Sequence, residues 1–106
     1  MGSARPRPRL LAKKLLLIRL NLGISQPQLL IRLGVQHAID YTTISKYELN
    51  KNEPPLQILL AYARLAHVPV EYLIDDKINP DVVSKSLRNV TPVSETVYFA
   101  LGVLLR

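Results

Sequence analysis

Residues 25–54 decide the fold, and they read SQPQLLIRLGVQHAIDYTTISKYELNKNEP. The start of this stretch carries the signals of a short helix. Ser25 can cap this helix, Gln28 completes a capping box three residues later, and Gly34 can end it. The apolar side of the helix consists of Leu29, Leu30 and Leu33. We refer to it as helix two.

A second short helix, helix three, is predicted over about residues 41–49. Asp40 can cap this helix, and Asn50 can adopt the left-handed conformation that ends it. Ile44 and Tyr47 lie three residues apart and are predicted to face the core. Two short helices joined by a glycine-bearing turn form a helix-turn-helix, in which the second helix enters the major groove of duplex DNA.

The outward side of helix three carries the candidate base-reading residues, which are Tyr41, Thr42, Ser45 and Lys46. A lysine can donate hydrogen bonds to guanine O6 and N7, and a threonine methyl can pack on the methyl group of thymine. Lys46 can also meet a phosphate group, so base reading and backbone contact both stay open for this residue.

Polar residues on either side of helix three suit the DNA backbone. Gln26 and Gln28 lie in the first turn of helix two, where free backbone N–H groups and the helix dipole attract phosphate. Asn50 and Lys51 lie in the loop after helix three and predict further phosphate contacts. The plainer interpretations are an ordinary polar helix start and a solvated loop.

Residues 1–9 form a basic N-terminal arm. Its prolines keep the chain extended, and its cations are Arg5, Arg7 and Arg9. Such an arm can enter a minor groove next to the reading helix. The alternative is a basic terminus without that role.

Three more helices are predicted around this pair. Helix one ends at Gly23, and Pro69 separates helix four from a short helix five. The predicted core stripe of helix one is Leu11, Leu15, Ile18 and Leu22. The predicted core positions of helix four are Leu56, Leu59, Leu60 and Ala63. Leu16, Leu17 and Leu20 add more apolar surface than a solvent-facing side needs, which indicates a wide buried face or a contact with another protomer.

The fold class expected from these elements is all-α, with a helix-turn-helix domain over residues 10–77. Residues 78–106 form a C-terminal extension whose structure the pattern leaves open. Residues 97–105 read VYFALGVLL, which is too short to span a bilayer. A strand or helix packed on the domain or on a second copy, or a disordered tail, fits this segment, which is a candidate for dimerisation.

The charge distribution favours a polyanionic partner. The chain of 106 residues is 48% hydrophobic, enough for one small helical core, and has a formal net charge of +6. Residues 1–52 carry a balance of +7, whereas residues 53–106 carry −1. The basic half therefore contains the helix-turn-helix, as a DNA-binding protein requires. A solvated basic surface without a ligand is the alternative.

No catalytic or metal-binding pattern is visible in the sequence. The chain has no cysteine, and its only histidines, His37 and His67, are thirty residues apart. There is no glycine-rich phosphate loop and no serine triad signature. Lys13, Lys14 and Arg19 interrupt the leucine-rich run that resembles a signal sequence. We therefore expect a cytoplasmic protein that is not an enzyme and needs no cofactor or metal.

The order of these motifs resembles the Xre/Cro-type helix-turn-helix proteins of bacteria and phages, which include the lambda-type repressors. The resemblance covers about residues 11–76. It rests on LxxIR at 15–19, LGISQ at 22–26, LG at 33–34, ISxYE at 44–48, KxEP at 51–54 and LLAYARLAHVPVEYL at 59–73. The family implies a five-helix lambda-repressor-like domain and a transcriptional regulator, which we expect to be a repressor. Because a single module buries limited surface on DNA, we expect it to bind a palindromic operator as a homodimer.

The resemblance also implies roles for single residues. Gln26 matches a glutamine that touches the DNA backbone, and Arg19 and Glu48 match a partly buried salt bridge between helix one and helix three. Two departures affect the transfer of these roles. Nine residues separate Gly34 from Ile44, where the family has about five, and Leu30 replaces the usual alanine between the two helices.

Two other functions fit parts of the sequence. An antitoxin-like module would use its apolar surfaces to cap a partner protein, and the leucines of helix one and the apolar C-terminal segment favour it. A membrane-surface role for helix one is the weaker alternative, because its polar side has few cations and its leucines are needed for the core.

Overall fold

The computed structural model describes residues 6–87, which form helices joined by turns and contain no β-strand. Five helices are α1 Leu11–Leu22, α2 Gln26–Leu33, α3 Tyr41–Glu48, α4 Leu56–Ala66 and α5 Glu71–Ile74. A sixth helical segment covers residues 80–87. The expected all-α class is confirmed for the described part of the chain.

The predicted ends of α1 and α2 are confirmed. Gly23 and Gly34 follow these helices with φ of 68° and 74°, in the left-handed region that favours glycine. At the start of α2, the Ser25 side chain accepts a hydrogen bond from the Gln28 backbone N–H (3.2 Å), and the Gln28 side chain accepts one from the Ser25 N–H (2.8 Å). This reciprocal pair is the predicted capping box.

The ends of α3 and α4 also follow local chemistry. The Asp40 carboxylate accepts a hydrogen bond from the Thr43 N–H at the start of α3 (3.2 Å), and Asn50 lies just beyond the end of α3 with φ of 60°. Helix α4 ends at Ala66 because His67 turns left-handed, with φ of 58°, before Pro69 is reached. His67 is therefore a helix-end residue.

One apolar core lies between the helices. Leu15 and Ile18 of α1, Leu29 of α2 and Ile44 of α3 are fully buried in it, as predicted. The prediction for α4 was partly wrong. Leu56 and Leu60 are exposed, and the buried side of α4 consists of Ile58, Leu59, Tyr62, Ala63 and Ala66. Because α4 is apolar around most of its circumference, spacing alone did not identify the side that packs.

The longer connection between α2 and α3 folds as a compact turn. The backbone N–H groups of Ala38 and Ile39 both donate to the Val35 carbonyl oxygen, at 2.9 and 3.1 Å. Val35 and Ile39 are half-buried and pack against the core. The additional residues therefore precede α3, which starts at Tyr41 and has only eight residues.

The start of α1 is capped by a residue from the far end of the domain. Leu10 offers no side-chain cap, and the Asp76 carboxylate accepts hydrogen bonds from the backbone N–H groups of Arg9 (2.9 Å) and Leu10 (3.0 Å). Nearby, Lys14 is buried and its Nζ donates to the Asp75 carbonyl oxygen (2.8 Å). These contacts fix residues 9 and 10 and the first turn of α1 to the segment that follows α5.

Residues 80–87 continue the helical unit beyond the boundary placed after residue 77. Asn79 accepts a hydrogen bond from the Asp81 N–H at the start of this segment (2.9 Å), and Val83 and Leu87 are buried in the same core as α1 to α5. The Asn21 side chain of α1 donates to the Ser84 hydroxyl (3.1 Å). The predicted dimerisation segment at residues 97–105 lies outside the described residues.

Candidate nucleic-acid interface

Helix α3 presents one side to solvent and the other to the core. Ile44 and Tyr47 are buried, which fixes the rotation of the helix about its axis. Tyr41, Thr42 and Lys46 are therefore exposed, with 51% of Tyr41 accessible. Ser45, the fourth candidate base-reading residue, is half-buried.

The Thr42 hydroxyl is already used within the first turn of α3. It donates a hydrogen bond to the Asp40 carboxylate, and this bond, with the Thr43 N–H, holds the pKa of Asp40 below its usual value. Thr42 therefore offers a ligand its methyl group and the accepting side of its oxygen. A methyl contact with thymine fits this arrangement.

Three cations, one each from the N-terminal arm, α3 and the loop after α3, lie at one end of α3. The backbone N–H groups of Lys51 and Asn52 donate to the Lys46 carbonyl oxygen, at 2.9 and 3.3 Å, so the loop folds back on α3. Arg7 Nη1 donates to the Asn50 carbonyl oxygen at 3.1 Å. Arg7, Lys46 and Lys51 therefore lie around the C-terminal end of α3, where the negative end of the helix dipole also favours cations.

The start of α2 has fewer free donors than expected. The Ser25 N–H bonds to Gln28, the Gln28 N–H bonds to Ser25, and Pro27 has no N–H. At most the Gln26 N–H is left for a phosphate group. The prediction of several free backbone donors at this point was wrong, because the capping box and the proline remove them.

A polar network joins α1, α2 and α3 behind this surface. Arg19 donates from Nε to Glu48 Oε2 (2.8 Å) and from Nη2 to Glu48 Oε1 (3.0 Å), and its Nη1 donates to the Ile24 carbonyl oxygen (3.1 Å). Gln26 Nε2 donates to the same Glu48 Oε1 (3.0 Å). Only 17% of the Arg19 side chain and 5% of the Glu48 side chain are exposed. The hydrogen bond to Glu48 raises the pKa of Arg19.

Tyr62 of α4 is buried beside this network. Burial, together with the negative charge of Glu48, raises the pKa of Tyr62 well above its usual value. Its hydroxyl has no hydrogen-bond partner among the described residues. Burial also raises the pKa of Tyr47, the core-facing tyrosine of α3.

The structure brings together most of the residues that the sequence singled out. Arg7, Asn50 and Lys51 meet beside α3, whereas the two glutamines of α2 make bonds within the protein. Arg5 lies outside the described residues. The contact of Arg7 with Asn50 joins residues 43 positions apart, and no sequence pattern predicts it.

Within residues 6–87, no group of three or more His, Asp or Glu side chains is placed to hold a metal ion. None of the helices described there has the length and apolar character needed to cross a bilayer.

No protein-family model matches the chain, and comparison with curated proteins and with solved structures finds no match.

Proposed function

We propose that the protein binds duplex DNA sequence-specifically through α3 and acts as a transcriptional regulator of the Xre/Cro type, in particular as a cytoplasmic repressor. The observation that carries this proposal is the position of Arg7, Lys46 and Lys51 at the end of an eight-residue helix whose opposite side is locked in the core. A short, rigidly held helix with a polar outer side and cations at its end suits a major groove flanked by phosphates.

The proposed contacts fall into two classes. Tyr41, Thr42 and Lys46 face base edges, where they specify sequence. Arg7 and Lys51 meet phosphate groups, where they add affinity and fix the register of the protein on the duplex. Because Arg7 is held against Asn50, this end of the arm lies beside α3, and we propose that the arginines of the arm contact the neighbouring minor groove.

A homodimer on a palindromic operator completes the proposal. One small module buries limited surface on DNA, so two linked copies reach useful affinity more readily. Their α3 helices then enter major grooves about 34 Å apart. Sedimentation of the full chain and of a chain truncated after Leu87 tests whether residues 88–106 supply the link. Truncation at that point preserves Val83 and Leu87 in the core.

Titration of a labelled random-sequence duplex, followed by fluorescence anisotropy, tests the electrostatic part of the proposal. We expect a dissociation constant of about 1–100 µM near physiological salt, which weakens steeply as salt rises, because the cations displace counterions from phosphates. Absence of binding at low salt contradicts the proposal.

A protein-binding module of the antitoxin type is the second candidate, and exposed leucines favour it. Leu49 is 61% exposed and Leu56 is 75% exposed, and Leu60 lies one turn further along α4. If this role is the main one, Leu56→Lys with Leu60→Lys abolishes partner binding and leaves DNA binding unchanged. Loss of DNA binding in the same variant would assign these leucines to the DNA-binding assembly.

A further inference from the structure

We infer that Gln26 is a positioning residue, which fixes α3 against the start of α2 through Glu48, and is not a contact to DNA phosphate. This inference concerns the internal geometry of the helix-turn-helix, and its consequence for DNA rests on the proposed function. It gives Gln26 a different role from the one that the family resemblance implies.

The geometry of Glu48 supports this role. Glu48 is the last residue of α3, and its buried carboxylate accepts two hydrogen bonds from Arg19 and one from Gln26. The Arg19 bonds tie the end of α3 to α1. The Gln26 bond, at 3.0 Å, joins a side chain of α2 to a side chain of α3. A hydrogen bond to a charged acceptor is stronger than one between neutral groups.

The position of Gln26 explains why this bond matters for orientation. Gln26 is the first residue of α2 and is half-buried, so its side chain crosses from the start of one helix to the end of the other. The compact turn at residues 35–39 joins the opposite ends of the two helices. The covalent connection and the Gln26 bond thus hold α2 and α3 at both ends, which fixes the angle between them.

The local backbone gives Gln26 little use as an anion contact. Its neighbour Pro27 lacks an N–H, and the Ser25 and Gln28 N–H groups are used in the capping box. A phosphate at this point would meet one backbone N–H and the second Nε2 hydrogen of an amide whose first hydrogen is directed at Glu48.

The test compares Gln26→Met with Gln28→Met. Both replace a glutamine of the first turn of α2 with an unbranched side chain of similar length, but only the first removes a bond to α3. We expect Gln26→Met to shift the NMR amide resonances of residues 41–48 more than Gln28→Met does. We also expect a double-mutant cycle to show that the cost of Gln26→Met disappears in an Arg19→Met/Glu48→Met background, where no carboxylate remains.

Binding measurements then separate positioning from phosphate contact. We expect Gln26→Met to lower the ratio of specific to random duplex affinity by about tenfold, with an unchanged log–log salt slope, because α3 is misplaced while the number of phosphate contacts is kept. Global loss of stability would lower both affinities equally. A slope reduced by about 1 with the ratio unchanged would make Gln26 a phosphate contact and overturn the inference.

Failure of the two proposals can be told apart. If the wild type binds no DNA, the proposed function fails, while the NMR shifts and the stability cycle still decide the role of Gln26. Unshifted α3 resonances together with an equal cost of Gln26→Met in both backgrounds overturn the positioning role.

Discussion

Arg19 and Glu48 are joined by two parallel hydrogen bonds, at 2.8 and 3.0 Å, although they are 29 positions apart in the chain. The bonds place one charge of α1 against one charge of α3 in an almost fully buried position. The attraction between two buried charges largely offsets the cost of removing them from water, so the pair adds little net stability. Each charge nonetheless needs the other, because either one alone would be buried without a partner.

Replacing one member of this pair should destabilise the protein much more than replacing both. We expect Arg19→Met or Glu48→Met to lower the free energy of unfolding by about 3–5 kcal/mol, because each leaves a buried charge without its partner. The double variant, Arg19→Met/Glu48→Met, should recover much of this loss. Urea denaturation of the four proteins measures the effect, and strictly additive losses would show that the two charges do not interact.

Local signals explain why much of this fold was predictable from sequence. Ser25, Gly34, Asp40 and Asn50 act within a few residues of themselves, and the helix ends that they predict are confirmed. The outward side of α3 follows from the spacing of two core residues on a short helix. The partnership of Arg19 with Glu48 was expected only from the family resemblance.

Contacts between distant parts of the chain were not predictable. Lys14 reads as a charge that interrupts an apolar run, but it is buried because the Asp75 carbonyl oxygen, 61 residues away, accepts its hydrogen bond. Asp76 reads as an acidic helix end, but it caps α1. The prediction that Leu56 faces the core was wrong, because the apolar residues of α4 fit more than one stripe at helical spacing.

The Asp76 cap should make stability depend on pH. Hydrogen bonds from the Arg9 and Leu10 N–H groups hold the pKa of Asp76 below its usual value in the folded state. Its contribution to stability is therefore complete above the ordinary carboxyl pKa of about 4 and is lost as pH falls through the lowered folded pKa. We expect Asp76→Ala to lower the melting temperature at pH 7 and to differ progressively less from wild type in acid.

Asp75→Ala is the matched control for this experiment. It removes the same charge one residue away, but the hydrogen bond described for the Asp75 side chain is to the nearby Lys77 N–H and not to the start of α1. Equal losses in the two variants would attribute the effect to charge alone.

The buried Tyr62 hydroxyl should contribute nothing to stability. It has no hydrogen-bond partner among the described residues, and leaving a buried polar group unpaired is unfavourable. We expect Tyr62→Phe to keep the free energy of unfolding or raise it by up to about 1 kcal/mol, while Tyr62→Leu lowers it through lost packing. Chemical denaturation measures both variants. Substantial destabilisation by Tyr62→Phe would reveal a bonded hydroxyl, for example through a buried water.

Arg7 and Lys51 should each account for about one phosphate contact. We expect Lys51→Ala and Arg7→Ala each to reduce the log–log salt slope of DNA binding by about 1, with little change in sequence preference. Lys77→Ala is the control, since this exposed cation belongs to the turn after α5. Anisotropy titrations across a salt series provide the slopes, and slopes equal to that of the control would remove the loop and the arm from the interface.

Selection of bound duplexes from a randomised pool tests most directly whether α3 reads DNA sequence. The wild type should enrich a palindromic motif whose half-sites are about 10 base pairs apart. The Thr42→Ala/Lys46→Ala variant, which changes only exposed α3 side chains, should melt at a similar temperature but lose its preference at the positions those side chains contact, by about 1–3 kcal/mol each. Enrichment of no motif by the wild type, or of an identical motif by both proteins, would contradict sequence reading by α3.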